Sequence, residues 1–339
     1  MALRIAFAGF RHGHILDLYD LATRWDELEV AGACEEHVAT RQQLQQQGVV
    51  RITHEDVGQM LDEVGAQVLA VGDYFARRGS LVAEALSRGL HAIADKPLCT
   101  RQSEVVAIDR LRREKGLCVG CMLNMRDGAD VLGMRQLILD GRIGDVHAIS
   151  FAGQHPLMLG SRPSWYFEPG KHGGTITDIG IHAIDALPWM TGLQLCTINA
   201  ARSWNAFVPQ YPEFHDAGQM MLTMSNGCGV LGDVSYHGPE GMGYRTPFYW
   251  RMTFWGREGV IEGGPTMDAI TVVGARDQEV RHEPLPAARH GGYLRAFLDD
   301  IAGRRPENGL DTDAVLTSMR RAILVQEAAS TGAREVPFA

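Results

Sequence analysis

The chain has 339 residues, 45% hydrophobic and 22% charged, an ordinary globular composition with length enough for two domains. Its 41 acidic residues outnumber 32 basic ones, for a net charge of −9, and no dense Lys/Arg block occurs, which excludes nucleic-acid binding as a reading. No apolar stretch is long enough to span a membrane and the opening residues lack a small-residue cleavage site, so no membrane partner and a cytoplasmic location are expected.

The first elements alternate between strand and helix. LRIAFA (3–8) reads as a buried strand ending at Gly9, and a helical pattern runs over 15–25. The strand LEVAGAC (28–34), a helix over 40–48, a strand over 66–72 and a helix over 80–89 follow. A short strand over 91–94, a helix over 104–116 and the strand LCVGCML (117–123) complete the series. This rhythm predicts an α/β fold, a doubly wound parallel sheet of the Rossmann type over residues 1–124, with ligand along one edge of the sheet. Cys118 and Cys121 form a lone CxxC inside the last strand. Residues three apart on a strand face opposite sides, so the pair reads as core and not as a metal site. The six scattered cysteines fit a chain with reduced thiols.

The pattern changes after Asn124. Residues 125–339 read as an α+β domain: a helix over 127–141 closed by Gly141, then a run of strands bounded by Gly and Asn-Gly turns, and two terminal helices near 292–303 and 311–329. Successive strands with few helices predict an open, mostly antiparallel sheet. One helix interrupts them, GGTITDIGIHAIDALPW (173–189). Ile176, Ile179, Ala183 and Leu187 make its apolar stripe, and Asp178, His182 and Asp185 stack on a neighbouring face. A carboxylate beside an imidazole can exchange a proton; the other reading is a buried helix whose His and Asp satisfy each other. The two leading glycines let another backbone or a flat ligand approach. A metal site would need more ligands than these three, with His172 the only obvious extra, so no metal is expected.

The first strand-to-helix turn reads Gly9-Phe10-Arg11-His12-Gly13-His14. In a G-x-G-x-x-G loop the second glycine lets the backbone reach a pyrophosphate and the third allows close helix packing. Here only Gly9 matches; Arg11 and His14 take the other two places and Gly13 stands one place early. Glu35 ends the second strand, about 20 residues on, the type and spacing of an acid that holds ribose hydroxyls. A turn that binds nothing is the rival reading.

Asp95-Lys96-Pro97 at the end of the fourth strand, GGTITDIGIHAID and LILDGRIGDV together resemble the Gfo/Idh/MocA family, named for glucose–fructose oxidoreductase, inositol dehydrogenase and a rhizopine-catabolism protein. The first strand, CMLNMR, WGREGVIEG and the closing GGYLRAFLDDIAGRRP extend the resemblance over nearly the whole chain. The resemblance implies a two-domain NAD(P)-dependent oxidoreductase. The family's Glu-Lys-Pro is here Asp95-Lys96-Pro97, and Lys96 matches the lysine that contacts substrate and nicotinamide. Asp178 and His182 match the catalytic pair. Asn124 and Arg126 match a segment lining the cofactor and substrate cleft, and Trp165 falls where an aromatic residue covers the substrate. Gly9, Phe10, Arg11, His12, Gly13, Glu35, Asp95, Lys96 and Asn124 are then the expected cofactor residues. Lys96, Arg126, Trp165, Asp178 and His182 are the expected substrate residues.

Alcohol oxidation removes a hydride, which the cofactor takes, and a proton, which the protein must take. Lys96 is the expected base, with His182 as relay and Asp178 orienting it or binding a hydroxyl. The expected function is therefore hydride transfer between a nicotinamide cofactor and a sugar, polyol or related hydroxy compound. The alternative, which the imperfect loop favours, is a non-catalytic sensor or regulator. NAD is expected over NADP because the Glu35 charge repels a 2′-phosphate and the next residue is Glu36. Arg11 and Arg77 are the basic residues that could reverse this. His155, Tyr166, His237 and Tyr244 are further pocket candidates. The family's habit of packing open sheets face to face implies a homo-oligomer, a dimer or tetramer.

Overall fold

The structure, a computed structural model, describes residues 2–338, and among these the long strands form one five-stranded and one nine-stranded sheet. The first contains β1 (Leu3–Ala8), β2 (Leu28–Cys34), β3 (Val68–Val71), β4 (His91–Ala94) and β5 (Val119–Cys121). They are all parallel, in the order β2-β1-β3-β4-β5. Helices α1 (Ile15–Arg24), α2 (Val38–Gln47), α3 (Val57–Glu63), α4 (Phe75–Ser87) and α5 (Gln102–Lys115) connect them. Val68, Leu69, Ala70 and Val71 are wholly buried, as a parallel strand covered by helices on both faces requires. Burying each of the larger three contributes about 1.5–3 kcal/mol.

The second half begins with α6 (Ala129–Leu139) and β6 (Val146–Pro156). A π-helical turn, Ile176–Gly180, then leads straight into α7 (Ile181–Thr191). The remaining strands are β7 (Leu195–Trp204), β8 (Ala217–Met224), β9 (Gly229–Gly238), β10 (Trp250–Gly256), β11 (Gly259–Gly263), β12 (Ala269–Gly274), β13 (Arg281–Pro284) and β14 (Val336–Pro337). Their order is β13-β12-β11-β10-β6-β9-β8-β7-β14, antiparallel except for β6 with β9. The expected fold class therefore holds, a Rossmann-type sheet followed by an open, mostly antiparallel one. Met221, Leu231 and Trp255 are exposed on the large sheet. Two closing helices, α8 (Gly292–Ile301) and α9 (Thr312–Thr331), pack back on β5, and α9 also lies along β7.

The helix over 173–189 is buried on every side, not amphipathic: the stripe Ile176, Ile179, Ala183 and Leu187 is fully covered, and so are its neighbours. Its start is a wide turn, a form that recurs at functional sites. The two leading glycines do admit a close approach, but of protein. A Cβ on Gly173 would strike Thr100, and one on Gly174 would strike Gln326 of α9.

Candidate active site

The segments that follow the carboxyl ends of β1, β4 and β5 meet the end of β9 and the π turn around a cavity of about 180 Å3. Lys96, Asp178, His182, Asn124, Arg162 and Tyr236 are among its lining residues. Lys96 follows β4 and is 4% exposed; its Nζ donates to Asp178 Oδ1 at 2.7 Å and to the Asp178 carbonyl at 3.0 Å. Asp178 is 3% exposed. Burial alone would raise its carboxyl, but the Lys96 ammonium and His172 outweigh that and hold it well below the carboxylate range. Tyr236 donates its hydroxyl to Asp178 Oδ2. His172 Nδ1 accepts from the Gly174 N–H at 3.2 Å, which leaves its Nε2 proton for the Tyr236 oxygen 3.1 Å away. The result is one chain of polar contacts, Lys96–Asp178–Tyr236–His172.

Tyr236 and His172 were not among the expected site residues. Tyr236 carried a signal, since it continues the inward-facing positions Val230, Gly232 and Val234 of β9 to the strand's end at the site. His172 lies in a loop without periodicity. His182 lines the cavity, but no hydrogen bond joins it to Asp178 among the described residues, and its Nδ1 is buried without a partner. Burial, with Lys96 adding repulsion, pushes its imidazole well below the ordinary value, so the ring is neutral near pH 7. It can accept or donate a hydrogen bond there, but it is not a poised acid. His155 is pushed down to about 3 for the same two reasons.

Three other expected residues stand elsewhere. Arg126 does not border this cavity: it makes a two-pronged pair with Asp185 (2.8 and 2.6 Å) and donates to the Asn308 carbonyl. Asp185 also accepts from Ser318 of α9 at 2.7 Å, so this cluster ties α7 to the closing helices. Trp165 is buried behind the cavity wall; its indole donates to the Arg11 carbonyl at 3.1 Å, and the neighbouring Tyr166 lines the cavity. His237 pairs with Asp216 at 3.0 Å, away from the site.

The loop after β1 is held tightly. Gly9 has φ of 81°, and a Cβ there would come within 2.7 Å of Asp73 Cβ, so this glycine is required. The N–H groups of Gly9, Phe10 and His12 go to Cys34, Glu35 and Gly72, whereas those of Gly13, His14 and Ile15 have no acceptor among the described residues. That is the free N-terminus of α1, which suits a phosphate. Asn124 borders this cavity and two adjoining ones, of about 300 and 180 Å3. The 300 Å3 cavity runs along α1 past Asp17 and Leu21.

Glu35 does not project as an open ribose clamp. It is 1% exposed and accepts from the Phe10 and His37 N–H groups at 2.6 and 2.7 Å. Burial raises its carboxyl above the usual range. Asp95 has no exposed surface; it pairs with Arg78 at 2.8 Å and with His12, and His14 lies 3.5 Å from its other oxygen. It thus reaches the cavity only through the two histidines. His12, His14 and Asp95 place possible metal-ligand atoms within 4.8 Å of one another. The Arg78 guanidinium already balances the Asp95 charge, so the cluster reads as a loop anchor.

Parallel sheet, free helix N-terminus and buried lysine–aspartate pair define a Rossmann-type protein with its site where the two sheets meet. Residues 131–262 match the GFO/IDH/MocA C-terminal domain, in keeping with the resemblance to that family. A relative, 1,5-anhydro-D-fructose reductase from Ensifer adhaerens, is 26% identical over 259 residues, 73% of each chain. Bacillus subtilis scyllo-inositol 2-dehydrogenase (NADP(+)) is 27% identical over 149 residues, 42% of this chain and 40% of its own length. An Agrobacterium radiobacter oxidoreductase, solved in complex with NAD+, L-tartaric acid and magnesium, shares the fold with a TM-score of 0.80 at 18% identity, covering 100% of this chain and 99% of that one. Over three curated relatives the matched stretch spans only 36% to 59% of their length. No helix among the described residues is long and apolar enough to cross a membrane.

Proposed function

We propose that the protein is a nicotinamide-dependent oxidoreductase of a sugar, polyol or related hydroxy compound. The observation that carries this reading is the buried Lys96–Asp178 pair on the cavity wall, beside a helix N-terminus with unclaimed N–H groups. The named activities of the sugar and inositol relatives support it. The residues fit the cofactor: Gly13, His14 and Ile15 would hold its pyrophosphate and Asn124 would border the nicotinamide end. When bound, the cofactor supplies the hydride acceptor or donor.

The chain's own residues handle the proton. Two Lys96 N–H groups are engaged by Asp178, which fixes Nζ at the cavity wall. In reduction Lys96 gives a proton to the carbonyl oxygen as it becomes a hydroxyl, and in oxidation it takes the hydroxyl proton. Asp178, through Tyr236 and His172, holds the lysine and offsets its charge. Neutral His182 is assigned a hydrogen bond to the substrate oxygen. We propose the division at residues 1–124 and 125–339, with α8 and α9 returning to brace β5. The open sheet face around Met221, Leu231 and Trp255 is assigned to self-association, and the free cysteines to a cytoplasmic setting.

NAD is assigned over NADP. At the adenosine end, Glu35, Glu36 and Asp73 stand against Arg11 and Arg77, with Arg77 already paired to Glu36 and Asp73. Acid thus exceeds base, and a 2′-phosphate meets net negative charge. Titrating NADH and NADPH side by side at one salt concentration, read by fluorescence, tests both statements. Tighter NADH binding is expected. Tighter NADPH binding overturns the cofactor choice, and absence of both overturns the enzyme in favour of a sensor.

A further inference from the structure

The cavity's charges do not cancel. Lys96 is balanced by Asp178. Burial pushes His12 and His155 down to about 3 and His182 well down, so these rings are neutral near pH 7. Burial likewise raises the phenols of Tyr166 and Tyr236, which stay protonated. That leaves Arg162, on the segment between β6 and the π turn. No carboxylate pairs with it among the described residues.

Arg162 is also held in place. Its Nε donates to the Leu157 carbonyl at 2.6 Å and its Nη2 to the Pro156 carbonyl at 2.8 Å. Its guanidinium lies over the rings of Tyr166 and Tyr236, 4.7 and 5.0 Å from their centroids. Two of the five N–H groups of a guanidinium are engaged in this way and a further contact runs to the Tyr244 hydroxyl, which leaves the remaining N–H groups for an acceptor. Arg162 is half-buried with no carboxylate beside it among the described residues, and a planar, pre-oriented guanidinium is matched to a carboxylate. The free N–H groups for a cofactor phosphate lie on a different element, at the start of α1.

We propose that the substrate is a hydroxy compound bearing a carboxylate, a sugar acid or shorter hydroxy acid, and that Arg162 binds that carboxylate while Lys96 handles the hydroxyl. This deepens the oxidoreductase reading and rests on it for the reaction, though not for the binding. The cavity of about 180 Å3 suits such a small molecule; drug-sized ligands take about 300–1,000 Å3.

The test uses the full chain as wild type, Arg162→Gln and Arg162→Lys. Calorimetry compares D-glucuronate with D-glucose and D-glycerate with glycerol, and NADH affinity is measured in parallel. At least one carboxylate should bind about tenfold or more tighter than its neutral partner, Arg162→Gln should abolish that preference, and Arg162→Lys should keep part of it. NADH affinity should not change in either variant. Melting curves check that the carbonyl contacts to Pro156 and Leu157 are not the whole effect, since both variants lose the planar fork but only one loses the charge. Equal or weaker carboxylate binding in both wild-type pairs overturns the proposal. So does a preference that survives Arg162→Gln, or a loss confined to NADH, which would make Arg162 a cofactor residue. A carboxylate preference without NADH binding upholds the anion site and overturns the oxidoreductase reading alone.

Discussion

Lys96→Met removes the base, but it also strands a charge. The two groups lie 2.7 Å apart and are almost wholly buried. At an effective dielectric near 20 their attraction is about 6 kcal/mol, set against a desolvation cost of several kcal/mol per ion. Removing one partner of such a pair costs about 3–5 kcal/mol. The variant has one escape, to protonate Asp178. From an ordinary carboxyl value of 3.8, that costs about 4 kcal/mol at pH 7 and falls by 1.36 kcal/mol per pH unit toward acid. In the variant burial raises the carboxyl above its unfolded value while in wild type it stays depressed, so the deficit is smallest in acid and grows as pH rises past 3.8. Between pH 5 and pH 7 it should widen by about 3 kcal/mol. Asp178→Asn should cost a similar amount by isolating the ammonium. The double variant should recover most of the stability and none of the turnover, which should fall by about 10² or more. Urea unfolding of all four proteins at pH 5 and pH 7, with turnover on any substrate found, is the assay. A Lys96→Met protein that matches wild type at pH 7, or a deficit that does not move with pH, would refute the buried pair.

Arg126→Met should destabilise the fold by about 3–5 kcal/mol through the stranded Asp185, while KM shifts little; denaturation and steady-state kinetics separate the two. Tyr236→Phe should lower kcat about tenfold with unchanged NADH affinity, since it removes one hydrogen bond to the charged Asp178; stopped-flow and fluorescence titration check it. Asp127 is raised from 3.8 to about 6 by burial, so its contribution is complete below pH 3.8 and is lost as pH rises through about 6. Asp127→Asn should therefore gain about 2 kcal/mol relative to wild type between pH 4 and pH 7, read as the shift in urea midpoint.

Much of the frame was legible because it is periodic. The apolar runs toward the carboxyl ends of β1 to β5 are buried on both faces, so they read as strands without any knowledge of their partners. Lys96 and Asp178 were singled out by resemblance, and the structure holds them 2.7 Å apart. What escaped lies where geometry depends on distant contacts. The wide turn at Ile176–Gly180 has the composition of a plain helix. Helix α3 and the short strands β13 and β14 have too few residues for a period to show. Arg126 sits in a matching motif but is claimed by Asp185, 59 residues on. Glu35 has the right type and spacing, yet its burial turns it toward its own loop. Arg162 and His172 come from loops, where only tertiary packing decides the direction of a side chain.

The large sheet ends at both sides in strands that cannot recruit another. Strand β13 closes on Pro284 beside Arg281 and Glu283, and β14 is two residues ending in Pro337. Proline offers no N–H to a neighbouring strand, and charge on an exposed edge discourages pairing. Lateral polymerisation of nine strands into a ribbon is thereby blocked. A further copy added along the sheet would have to pair with these proline-ended strands. The proline-tipped margins thus guard a β-rich half against edge-to-edge growth.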